Sequence, residues 1–67
     1  MTNGYVVCWP AKHGNSNVVR NFKAKKDAVR LAATKADADL HTIRHGETVA
    51  VDCYEHGKVV YSNHDMG

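Results

Sequence analysis

Five histidines (His13, His41, His45, His56 and His64) and two cysteines (Cys8 and Cys53) are the residues most able to do chemistry in this 67-residue chain. Imidazoles ligate metals and carry protons, and thiolates attack electrophiles or bind soft metals. Zinc sites take their ligands in close pairs, because one local turn then fixes two bonds at once. His41 and His45 have three residues between them, but their segment shows no helical pattern and no cysteine pair accompanies them. The expectation is therefore no metal and no cofactor, with His13, His45, His56 and His64 in or beside turns.

The two cysteines do not form a CxxC motif and lie far apart, each in a strand-like segment. That pattern predicts buried, reduced thiols rather than a disulfide. Cys53 shares a strand face with Val49 and Val51, which makes it a packing residue; a reactive thiol needs a partly exposed, electropositive setting. The carboxylate pairs Asp37/Asp39 and Asp52/Glu55 read as solvated. The HGNSN stretch at 13–17 lacks both the lysine and the following helix of a phosphate-binding loop. No catalytic residue is assigned, and a chain this short has little room for an enclosed pocket. The expectation is a protein that is not an enzyme.

Positively charged side chains are the remaining candidates. Net charge is +2, yet residues 1–35 hold seven Lys/Arg against one acid, whereas residues 36–67 hold two against six. An uneven field of this kind steers charged partners to one side of a molecule, unless the two halves neutralise each other in the fold. Arg20, Lys23, Lys25, Lys26 and Arg30 form the densest basic stretch and are the candidate partner-binding residues. A solvated basic surface with no partner would give the same pattern.

The elements that must position these residues follow from periodicity. Lys25–Ala38, KKDAVRLAATKADA, is the one segment with sustained helical spacing. Ala24, Ala28, Val29, Leu31, Ala32 and Ala36 share its apolar side; Lys26, Asp27, Arg30, Thr34 and Asp37 share the other. Small alanines let such a helix approach a sheet closely, with Leu31 and Val29 as larger anchors. Asn21 is a candidate N-cap if the helix begins early. Tyr5–Trp9 and Val18–Phe22 read as strands joined by a wide polar loop over 11–17. Tyr5, Val7 and Trp9 share one face of the first strand, and Val18, Arg20 and Phe22 one face of the second. Leu40–Ile43 crosses back toward the sheet, Thr48–Tyr54 alternates as a half-buried strand, and Lys58–Ser62 closes the chain. His45-Gly46 and His56-Gly57 are turns, and a polar tail runs from Asn63 to Gly67.

The fold class is α+β: a small antiparallel sheet of three to four strands, in ββαββ or βαββ order, with one amphipathic helix packed on one face. Residues 1–67 form a single domain with a core near the lower limit for independent folding. The other sheet face is either wet or meets a partner, which leaves room for a dimer. No stretch is long and apolar enough to cross a membrane, and no secretory segment is present, so a cytoplasmic location is the expectation.

The residues Ala28, Leu31, Ala32 and Ala33, followed by Thr48-Val49-Ala50-Val51, Cys53 and Gly57-Lys58-Val59-Val60-Tyr61, resemble small phage-borne anti-CRISPR proteins that inhibit type I surveillance complexes. The resemblance covers roughly Tyr5–Ser62 at the level of layout. It implies a stoichiometric inhibitor in the cytoplasm of a bacterial host, one that occludes a nucleic-acid-handling effector by protein–protein contact. The partner would then be a CRISPR-Cas surveillance complex, with Arg20, Lys23, Lys25, Lys26 and Arg30 as contacts. The alternative is a small nucleic-acid-binding protein using the same basic face.

Overall fold

The computed structural model describes residues 3–10 and 18–64. The loop expected over 11–17, with Lys12 and His13, lies outside the described residues, as do residues 65–67 of the expected tail. The elements run β1 (Gly4–Trp9), β2 (Val18–Phe22), α1 (Lys25–Ala33), β3 (Asp37–Arg44), β4 (Glu47–Glu55) and β5 (Lys58–Asn63). All neighbouring strands pair antiparallel, in the spatial order β2-β1-β3-β4-β5. The α+β class and the helix-on-sheet packing are as expected. The sheet has five strands rather than three or four, and the order is ββαβββ.

The added strand is β3, and it is the central one. The helix was expected to reach Ala38 but stops at Ala33. At its end the Thr34 hydroxyl donates to the Leu31 carbonyl at 2.7 Å, and the Thr34 and Lys35 amides donate to Leu31 and Ala32 in a tightened last turn. The alanines that follow would propagate a helix well. Instead Ala38 and Leu40 become fully buried in the sheet, where Leu40 pairs with Val7 on one side and Asp52 on the other. Burial of that pair outweighs local propensity. Ala36, expected on the buried side of the helix, is exposed and offers its carbonyl to the His56 amide at 2.8 Å. Asn21 is no helix cap: it lies in β2, and the N-cap is Ala24, without a side-chain bond.

Register fixes which residues share a face. Tyr5, Val7 and Trp9 of β1 lie on the helix side with Arg20 and Phe22 of β2, Ala38 and Leu40 of β3, and Ala50, Asp52 and Tyr54 of β4. Ala28 and Ala32 sit fully buried against this layer, and Val29 and Leu31 pack at its margins as partly buried residues. Leu40 and Val7 are the largest fully buried side chains. The opposite face is crossed by two rows of residues, one per strand in spatial order. One row is Val19, Cys8, Asp39, Cys53 and Tyr61; the other is Asn21, Val6, His41, Val51 and Asn63. No described element covers them. Cys8 and Cys53 are half-buried on this face and form no disulfide, so their expected full burial does not hold.

The β3–β4 and β4–β5 hairpin turns are both His-Gly. His45 and His56 have φ of 55° and 52°, and Gly46 and Gly57 follow at 79° and 82°. Positive φ at both central residues is the backbone of a type I′ turn, whose twist matches the flanking strands. Histidine is among the few side chains that enter this region readily. Two of the five histidines thus serve the backbone.

Candidate functional site

The basic residues are positioned by three connected pieces of chain. Arg20 projects from edge strand β2 on the helix side, because it pairs with Val7. Lys23 lies in the link from β2 into α1, and Lys25, Lys26 and Arg30 are on the helix; all five are exposed. Helical spacing turns Lys26 and Arg30 outward, opposite the buried Ala28 and Ala32.

Between α1 and β2 runs an open groove of about 400 Å³, lined by Phe22, Asp27, Arg30, Leu31 and Thr34. Its floor is the half-buried Phe22 and Leu31. Arg30 stands on its rim, and Arg20 sits two residues from Phe22 on the same strand face. Lys23 lines a neighbouring hollow with Asn3, Gly4, Tyr5 and Arg44. Lys25 departs from this group: it lies toward the other flank of the helix, where its charge acts on Asp52. The structure therefore places Arg30 on the groove, Arg20 on the strand beside it and Lys23 at a neighbouring hollow, with Lys26 on the solvent side of the helix and Lys25 toward the other flank.

Beyond Phe22 in the groove floor and Tyr5 in the neighbouring hollow, the aromatic residues add nothing to this surface. Tyr5, Trp9 and Phe22 all lie on the helix side and pack against the core. The Lys35 ammonium sits 4.3 Å from the Trp9 ring centroid, and the Arg44 guanidinium 5.5 Å from that of Tyr5, while donating to the Tyr5 hydroxyl at 3.3 Å. Cations over ring faces are held by the ring quadrupole. These rings are thus already engaged. The open face carries a single aromatic among its paired residues, Tyr61.

A polar cluster that the sequence did not disclose lies at β4 and β5. Asp52, expected to be solvated, is 7% exposed on the covered face. Its Oδ1 accepts from the Ser62 hydroxyl at 2.7 Å and meets His64 Nε2 at 2.8 Å. Burial alone would raise the Asp52 pKa. The hydrogen bonds from His64 and Ser62, with the charges of His64 and Lys25, overcome it and hold the carboxyl below its ordinary value. The three residue types are those of a hydrolytic triad, but the connectivity differs. In a triad the serine donates to the imidazole, which is oriented by the acid. Here serine and histidine converge on one carboxylate oxygen, so no base activates the hydroxyl. The cluster fastens the end of β5 to β4.

Cys53 is similarly inert. Burial, the hydrogen bond to Asp39 and the charges of Asp39 and Asp52 push its thiol up to about 11. A thiol so placed stays protonated at neutral pH and is a poor nucleophile. His41 and His45 do not come together as ligands. One lies within β3 and the other in the following turn, roughly 13 Å further along at the usual strand rise. Among the described residues no group of three His, Cys, Asp or Glu is disposed to hold a metal ion.

Two charge-bearing halves lie side by side. Residues of the basic half form β2, β1 and α1 at one edge, and those of the acidic half form β3, β4 and β5 at the other. Among the described residues no helix is long and apolar enough to cross a membrane. No protein-family model matches the chain, and no curated protein or solved structure matches it.

Proposed function

We propose that the chain is a non-enzymatic binding module that inhibits a nucleic-acid-handling effector by occupying its surface, in the manner of the anti-CRISPR proteins its layout resembles. The observation that carries this reading is the groove between α1 and β2. Its apolar floor of Phe22 and Leu31 offers area to desolvate; Arg30 and Asp27 line its rim, and Arg20 on the strand face of Phe22 and Lys26 on the helix exterior add positive charge. Apolar centre and charged rim together are what protein interfaces use: burial supplies affinity, and charge supplies encounter rate and register. The partner is an acidic protein patch, on a CRISPR-Cas surveillance complex if the resemblance extends to the target. The site of action is the bacterial cytoplasm.

The alternative reading, nucleic-acid binding through the same residues, is favoured by the collection of the basic half at one edge of the sheet. It lacks the exposed aromatic platform that single strands stack upon. The two separate in a pull-down of tagged protein from bacterial lysate, with and without nuclease and over a salt range. A one-to-one protein complex that survives nuclease and moderate salt, and that Lys26→Glu/Arg30→Glu abolishes, is the expected result. Recovery of nucleic acid alone, with affinity falling by about one log unit per log unit of salt for each phosphate contacted, would replace the inhibitor with the nucleic-acid module. Partner binding unchanged in the double variant would remove the basic face from either reading.

A further inference from the structure

We infer that the open face of the sheet is a self-association surface, and that two copies of this chain stack face to face with Asp39 of each against His41 of the other. This rests on the sheet register and is independent of the reading above.

The face is built around its middle strand. β3 is third of five, and it contributes Asp39 and His41 to the two rows that cross the open side. Between them, therefore, lies the geometric centre of the surface. The positions beside this centre are uncharged, Val6 and Cys8 on β1 and Val51 and Cys53 on β4, while Asp37 and Glu55 lie one pair further out on the same face, toward the rim. A two-fold axis running between the sheets, perpendicular to β3 and passing midway between these residues, lays each row over the other row of the second copy. Asp39 then faces His41 twice over, and Cys8 and Cys53 face Val6 and Val51. One acid and one base, two residues apart at the centre, form a self-complementary pair under the commonest symmetry of oligomers.

Sheet twist strengthens the argument. Stacked sheets cross at about 30°, which displaces peripheral residues and leaves the centre in register. The Asp39–His41 contact is the one such a rotation preserves. Asp39 already accepts from the Cys53 thiol, but a carboxylate has further acceptor positions for an imidazole N–H.

Size agrees as well. The molecule measures 29 Å by 21 Å by 20 Å. The smallest specific interfaces bury about 1,200 Å² in total, roughly 600 Å² per copy, which a face spanning the two longer dimensions of the molecule can supply. The monomer needs such a gain, since its largest fully buried side chains are Leu40 and Val7. Small domains with so little core are commonly completed by oligomerisation. Pairing through the β5 edge is the competing arrangement, because Val59, Val60 and Tyr61 are exposed there. That edge is kinked by an irregularity at Cys53/Tyr54, which blunts it as a template. In the face-to-face dimer both helices, and both basic grooves, remain outside.

Sedimentation equilibrium of the 67-residue chain from about 1 μM to 1 mM tests this, with circular dichroism to verify folding of each variant. The expected result is a reversible dimer with micromolar affinity. Val51→Lys, which places a charge beside the centre, should leave a folded monomer. Asp39→His and His41→Asp should each weaken the dimer about tenfold or more, by setting imidazole against imidazole or carboxylate against carboxylate in place of the acid–base pair, and the double exchange should restore it to within about threefold. A monomer throughout the range overturns the proposal. So does a dimer that tolerates Val51→Lys, or one broken by Val60→Lys alone, which would assign it to the β5 edge. Folded single variants without recovery in the double exchange would also overturn it.

Discussion

The same five strands present two faces that differ in what they bury and how strongly. On the helix side, Val7, Ala38 and Leu40 are fully enclosed by Ala28 and Ala32, and even Asp52 is taken out of water. On the open side the corresponding positions, Val6, Asp39, His41, Val51 and Cys53, are all half-buried. The covered face carries the stability of the fold. The open face is held by its backbone ladder and contributes little packing of its own. What the contrast teaches is that a row of valines and cysteines along a strand need not mark the core. On β4 it marks the uncovered side, and the side bearing an aspartate is the one beneath the helix.

The sharpest way to break this comparison is at its centre. Leu40→Ala should lower stability by about 2–5 kcal/mol, read from the denaturant midpoint. Leu31→Ala, at the half-buried margin of the helix, should cost roughly 1–2 kcal/mol. Equal losses would mean that the helix seats differently on the sheet.

Asp52 provides the next largest effect. Asp52→Ala should cost about 1–3 kcal/mol, because Ser62 and His64 lose their shared acceptor. The folded state holds this carboxyl below its ordinary value of 3.8. Its stabilisation is therefore fully present above that value and is lost as pH falls through the folded pKa. An acid titration of stability should accordingly be flatter in Asp52→Asn than in the parent chain. An unchanged acid limb would remove the carboxylate from the account.

The two turns allow a finer test. Alanine at Gly46 or Gly57 should cost on the order of 1–2 kcal/mol, the penalty of a side chain at positive φ. Gly57 should be the more damaging, because an added Cβ would lie 3.2 Å from the Ala33 carbonyl oxygen, whereas nothing lies within 4 Å at Gly46.

The smallest effects on stability belong to the open face and the helix exterior. Cys53 should react with iodoacetamide roughly a hundredfold more slowly than an unperturbed thiol at pH 8, since its pKa is pushed from 9.0 to about 11. Asp39→Asn should accelerate the reaction by removing one of the causes. Lys26→Glu with Arg30→Glu should move the unfolding midpoint by less than about 0.5 kcal/mol, while removing partner binding.

Much of the architecture was legible in local pattern. Strand β2 falls at Val18–Phe22 as read, β1 and β5 differ by one residue at an end and β4 by one at each end, and both His-Gly turns are where the glycines put them. The outward basic residues were legible for the same reason, since charge on a short amphipathic helix must face water. Lys25 escaped, because its direction depends on where Asp52 lies across the sheet.

The sequence by itself determined the class of fold, the helix with its alanine seam, the hairpins and the uneven charge. These depend on spacing, turn chemistry and composition, which act within a few residues. Only the tertiary structure decided that Asp37–Arg44 is the central strand. Its aspartates and alanines argue against a strand locally, and its stability comes from pairing with β1 and β4 on both sides. Only the tertiary structure, likewise, decided which face of each strand lies under the helix. Alternation along a strand separates two faces, and it is the position of α1 over β1 and β3 that chooses between them. The covered Asp52, the inert Cys53 and the paired placement of Asp39 and His41 all follow from that one choice.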